Sequence, residues 1–170
     1  MLRVLGRAPS GLARSEADPW IPLKVFWEVR RPGVSLDLHI TGRSGGFVEM
    51  RVDSESGALH ELVGITLPPV TRRTLQEAPV VEDMASPVLD RELWPWKVTP
   101  DYKEPERTNI DMSGELSVST VEGDVVLWFS DLPVHGYIAC GEVKVGCSST
   151  SDLVCIVAPD PPIVEPEILS

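Results

Sequence analysis

Between Val34 and Thr41 the chain reads VSLDLHIT, with Leu36, Leu38 and Ile40 alternating against Asp37, His39 and Thr41. A period of two marks a strand with one dry and one wet face. The next run, FVEMRVD at 47–53, repeats the pattern: Val48, Met50 and Val52 fall on one side, Glu49 and Arg51 on the other. Folding the two runs about GRSGG sets Ile40 against Val48, Leu38 against Met50 and Leu36 against Val52. The same register sets His39 against Glu49 and Asp37 against Arg51. Both faces agree, as a correct register requires.

SESG at 54–57 is a turn, and ALHELVGITLP after it predicts a third strand. Two registers compete for it, one pairing Val52 with Leu59 and the other Arg51 with Glu61. Upstream, KVFWEVR at 24–30 reads as a strand with Val25, Trp27 and Val29 on one face.

The second half has the same style. GELSVSTVEGDVVLWF folds about Glu122-Gly123, bringing Leu116 to Phe129, Val118 to Leu127 and Thr120 to Val125. Trp128 then falls on the face opposite Leu127 and Phe129, which predicts a sheet covered on both sides. DLPVHGYIACGEVKVGC carries turn residues and then a strand with a bulge expected at Gly141. The run Leu153–Val157 is apolar on both faces and suits an interior strand. Seven or eight short strands without helical periodicity predict a mainly β protein, an antiparallel sandwich or barrel-like fold.

The expected organisation is a basic N-terminal arm over 1–19, a first β unit over 20–67, an irregular segment over 68–113 and a second β unit over 114–158. An acidic, proline-rich tail follows over 159–170. The central segment holds seven prolines and the WPW triplet at 94–96. So long a stretch without period is either a linker or a segment pinned to the sheets by its tryptophans. Within it TLQEA (74–78) and VLDREL (88–93) could each form a helical turn.

Charge changes the picture more than composition does. The 170 residues carry a formal net charge of −11, unevenly distributed. From Gly114 onward Lys144 is the one cation against nine carboxylates, whereas the first 34 residues hold six Lys or Arg against three acids. Such a field repels phosphate backbones, which argues against nucleic acid, and meets a basic protein partner more naturally. No run of eighteen apolar residues exists, so no membrane span is expected. Residues 1–15 are basic but lack the apolar core of a secretory signal, and Pro9 and Gly11 interrupt the helix of a presequence.

Cys140, Cys147 and Cys155 are separated by six and seven residues, wider than a zinc knuckle. If 148–152 form the hairpin loop, Cys147 opposes Leu153 and Cys155 opposes Val145. The sulfurs are then diagonal neighbours beyond bridging reach, and a bridge would need a register slip of two. Three buried free thiols are expected, in a reducing cytoplasm.

No catalytic constellation is legible. Asp37 and His39 share a polar face, as a carboxylate orienting an imidazole would, but Glu49 and Arg51 supply ordinary cross-strand partners. HELVG at 60–64 lacks the second histidine of the zinc-protease motif, His135 lies in a loop, and GCSST is no nucleophile elbow. GRSGG lacks the spacing of a phosphate loop. No metal or cofactor is expected.

Trp94 and Trp96 could form a stacking platform for sugar or a hot spot for a protein, or could fold back over an open sheet face. The carboxylates Asp124, Asp131 and Glu142 are the candidate contacts of the acidic half. The expected function is binding without catalysis, as an inhibitor or immunity-type protein for a basic partner. The alternative is a small-ligand or carbohydrate-binding sandwich using Trp94 and Trp96.

Overall fold

The computed structural model of the chain describes residues 1–159. The expectation of an extended tail falls on 160–170 and lies outside the described residues. Fourteen strands follow among these: β1 (Val4–Pro9), β2 (Arg14–Glu16), β3 (Leu23–Phe26), β4 (Ser35–Gly42), β5 (Phe47–Asp53), β6 (Leu59–Thr66) and β7 (Val80–Glu82). Then come β8 (Ala85–Leu89), β9 (Asn109–Gly114), β10 (Ser117–Val121), β11 (Asp124–Trp128), β12 (Gly136–Cys140), β13 (Val143–Cys147) and β14 (Leu153–Ala158).

They form two six-stranded sheets and one pair. The first sheet runs β2-β3-β6-β5-β4-β9, the second β10-β11-β14-β13-β12-β7, and β1 pairs with β8. None closes into a barrel, and the fold is a mainly antiparallel sandwich. Two pairings are parallel, β4 with β9 and β12 with β7.

The β4–β5 hairpin takes the expected register, with Leu38 opposite Met50 and Asp37 opposite Arg51. Leu36, Leu38, Ile40, Val48, Met50 and Val52 are all buried in the layer between the sheets. Each such side chain contributes roughly 1.5–3 kcal/mol. Leu127, Val145 and Ile156 meet them from the second sheet.

The two competing registers of β5 and β6 both occur. Arg51 pairs with Glu61 and Val52 with Leu59, with a bulge between them. His60 is the extra residue, and the bulge lets the charged pair and the apolar pair form together.

The turn after β5 is fixed by Asp53, which is wholly buried. Its carboxylate accepts from Gly33 N–H at 2.9 Å and from both the N–H and hydroxyl of Ser56 at 2.8 Å. Burial alone would raise this carboxyl's pKa, but the bonds from Ser56 and Gly33 outweigh it and hold the group below its usual value.

In the second sheet Val118 opposes Leu127 and Thr120 opposes Val125 about Glu122-Gly123, as expected. Both turn residues have positive φ, 50° and 87°, as a two-residue hairpin of matching twist needs. Leu127 faces the central core while Trp128 lies on the opposite face, in a second cluster with Val126, Tyr137, Cys155 and Val157.

Four local expectations are corrected. Gly141 does not bulge β12; with φ of 64° it opens the two-residue turn that joins Cys140 to its partner Val143. The strand at 24–30 stops at Phe26, although Trp27 stays buried. TLQEA makes no helical turn, whereas VLDREL does give one, the 3-10 turn Arg91–Leu93. In the cysteine hairpin Cys147 opposes Leu153, but Cys155 opposes Gly146, because Val154 is an extra residue in a bulge. That shift sends Cys155 to the outer cluster, where its sulfur occupies the space beside Gly146; a Cβ there would lie 2.7 Å from it.

Segments without sequence period are built into the sandwich. From 1–19 come β1 and β2, and Leu2 and Val4 are buried in the central core. From 68–113 come β7, β8 and β9. Pro69 and Thr71 bond to both backbone groups of Val118 and cover the β10 edge. The stretch 73–78 straps the outer face of the second sheet. The Arg73 guanidinium lies 3.8 Å from the Trp128 ring centre and donates to the carbonyls of Ser130 (2.6 Å) and Leu132 (3.1 Å). Gln76 accepts from Val134 N–H and from the Tyr137 hydroxyl, and Leu75 and Ala78 pack on the cluster below.

Candidate protein-binding surfaces

Strand register sorts the carboxylates of the acidic half into two groups. Val125 pairs with Ala158, and Lys144 with Val157, so the 122–123 and 141–142 turns lie at one end of the second sheet. Asp124 and Glu142 therefore share that end with Glu122. Glu82 joins them, because it pairs with Ala139, and so does Asp83, whose N–H bonds to the Ala139 carbonyl. Arg7 pairs with Asp83 at 2.9 Å, and Lys144, opposite Ala139, is a further cation at this end. Glu142 is exposed and Asp124 half-buried.

Asp131 lies at the opposite end, after β11, with its side chain 99% exposed and Arg73 at 3.8 Å. It stands on the rim of a cleft of about 400 Å³ between the ends of the two sheets. Ile40 and Met112 line the cleft from the first sheet, Leu116, Phe129 and Leu132 from the second, and Arg43 and Glu115 pair across its mouth at 3.5 Å. The cleft was not legible in the sequence, because its lining residues come from strands and loops far apart in the chain.

Trp94 and Trp96 are half-buried and pack on the central core, and the Trp96 Nε1 donates to the Arg91 carbonyl at 2.7 Å. The tryptophan most open to solvent is Trp20, at 88%, in the turn between β2 and β3, where Asp18 accepts from Trp20 and Ile21 N–H. Tyr102 is fully exposed in a similar turn, with Asp101 accepting from Lys103 and Glu104. Both turns carry an Asp two or one residues before the aromatic, a recognisable Asx signal.

The outer face of the first sheet is a ladder of alternating charge. Lys24 meets Glu61 (3.1 Å), Glu61 meets Arg51 (2.7 Å), Arg51 meets Glu49 (3.3 Å) and His39 meets Asp111 (3.2 Å). Burial raises the Asp37 carboxyl, Glu49 adds to the rise, and Arg51 at 3.8 Å opposes it. His39 is thus shared among carboxylates of this ladder, with Glu49 at 3.9 Å on its other nitrogen.

His60 is buried, with its Nε2 3.3 Å from the Ser35 hydroxyl; burial lowers its pKa and Arg31 adds to the fall. Ser148 is buried and bonded within its own turn, to Thr150 and Asp152. The three cysteines are free. Burial pushes the Cys147 thiol up to about 11 and the Cys155 thiol up to about 12, the reverse of what an attacking thiolate requires. Among the described residues no group of three or more His, Cys, Asp or Glu could hold a metal ion, and no helix is long and apolar enough to cross a membrane. No protein-family model matches the chain, and no curated protein is similar to it in sequence.

Proposed function

We propose that the protein acts by binding a basic protein, as an inhibitor or immunity-type partner does, without chemistry of its own. One observation carries this reading: the charged side chains of the first sheet's wet face sit in cross-strand ion pairs, while Glu122, Asp124 and Glu142 stand at one end of the second sheet with no ion-pair partner among the described residues. Unpaired surface charge of one sign steers an oppositely charged partner and raises its association rate. The free thiols, of which Cys140 and Cys155 are buried and Cys147 half-buried, favour a reducing compartment such as the cytoplasm.

The test is affinity capture from the source organism's lysate at low and high salt, read by mass spectrometry. A basic protein retained at low salt, released by high salt and lost with a D124K/D131K/E142K variant supports the reading. A partner indifferent to salt and to that variant overturns it.

A further inference from the structure

We infer that β9 is the recognition edge of this surface, taking up an extended segment of the partner as an added strand that alternates basic and apolar residues. The inference rests on the basic-partner reading above and names where that partner docks.

Backbone geometry comes first. Asp37 N–H bonds to the Thr108 carbonyl and Arg43 N–H to that of Gly114, so in this parallel ladder the even-numbered residues of β9 face β4. The N–H and C=O groups of Asn109, Asp111 and Ser113 therefore point away from the sheet, and β9 is its last strand. Among the described residues the other edges of the two six-stranded sheets are shorter or covered: β2 and β7 have three residues each, and Pro69 and Thr71 bond along β10. β9 has six residues and neither Pro nor Lys, the usual protections of an open edge.

Side chains then select the occupant. Ile110 and Met112 face the core, while Asp111 faces solvent with its side chain 91% exposed. Met112 and Ser113 line the cleft between the sheets, so an inward side chain on an added strand at this level meets Met112, Leu116 and Phe129. Asp111 stands on the outer face beside His39 (3.2 Å), while Glu115 and Asp131 stand on the rim of the cleft beside Arg43 (3.5 Å) and Arg73 (3.8 Å). Lys or Arg on the outward positions of the incoming strand would face Asp111. A second copy is disfavoured, since a two-fold antiparallel pairing centred on this strand would oppose Asp111 to Asp111. Strand addition takes its affinity from main-chain bonds and its specificity from such alternate pockets.

The test uses a synthetic peptide of about eight residues, a common strand length, alternating Lys with Val or Leu, and a counterpart with Glu for Lys. Amide hydrogen exchange of the full chain is followed with each. The expected result is slowed exchange at Asn109, Asp111 and Ser113 with the Lys peptide and none with the Glu peptide. S113P removes one outward donor without touching the ladder to β4, and should weaken binding about tenfold, the loss of roughly one hydrogen bond. D111K, which leaves the backbone intact, should shift preference towards the Glu peptide. Protection elsewhere by the Lys peptide overturns the β9 assignment while leaving the basic-partner reading standing. Binding of neither peptide, equal binding of both, or a free protein already dimeric through protected β9 amides overturns the inference outright.

Discussion

The two large sheets solve the same burial problem in opposite ways. In the first, alternation is strict, so one face joins the core and the other stays wet, with its charges paired from Lys24 across to Asp111. In the second, strands such as β14 are buried along their whole length, which leaves no solvent face. A sheet apolar on both sides needs a second cover, and the strap from Arg73 to Ala78 provides it. A segment with no secondary structure of its own can be as necessary to the fold as a strand when it closes an apolar face.

The largest test of that contrast is Trp128→Ala. Trp128 is buried under the strap, bonded through Nε1 to Ser119 and capped by Arg73. Loss of about 3–5 kcal/mol in denaturant unfolding is expected for an aromatic truncated in a real core. A loss below about 1 kcal/mol would mean that the strap is a loose covering and that the second sheet is one-sided like the first.

Next comes Asp53→Ala in the first sheet, expected to cost about 2–3 kcal/mol because it leaves the donors of Gly33 and Ser56 unmatched in a buried turn. The folded pKa of Asp53 lies below its ordinary 3.8. Its contribution is therefore complete above pH 3.8 and lost as pH falls through the folded value. The acid limb of wild-type unfolding should flatten in Asp53→Asn; an unchanged limb would remove Asp53 from the account. A smaller effect, about 1–2 kcal/mol, is expected of Arg73→Met, which keeps the stem over Trp128 but drops two charge-assisted bonds. Faster amide exchange at Val134 and Tyr137 would show the strap loosening locally, since Gln76 and Pro79 hold those amides.

The same contrast decides what was legible in the sequence. The β4–β5 hairpin could be read in full because both its faces vote for one register. The cysteine hairpin could not, because in a run apolar on both faces nothing in the pattern marks Val154 as the bulge, and one residue moved Cys155 to the other side. Strand β9 pairs in parallel with β4, more than sixty residues away, and β1 pairs with β8 across up to half the chain. Neither pairing leaves a local signal. The charge imbalance was countable, but its division into two ends depended on the register of β13 and β14. Trp94 and Trp96 were visible as aromatics, whereas their packing on the core depended on the whole surrounding sheet.

The smallest predicted effect probes the wet ladder itself. Exposed ion pairs are worth about 0–1 kcal/mol each, so the ladder should be close to neutral in stability, unlike the strap. Asp37 is the sensitive member, because burial and Glu49 raise its pKa against the pull of Arg51. A carboxyl raised in the folded state is disfavoured as the carboxylate, so it lowers stability once pH has risen through the folded value. Asp37→Asn should therefore gain a few tenths of a kcal/mol at neutral pH and nothing below pH 3.8, where wild type is protonated in both states. A loss at neutral pH instead would show that the bond between Asp37 and Arg51 outweighs the burial, and would make the wet face of the first sheet a source of stability comparable with the strap.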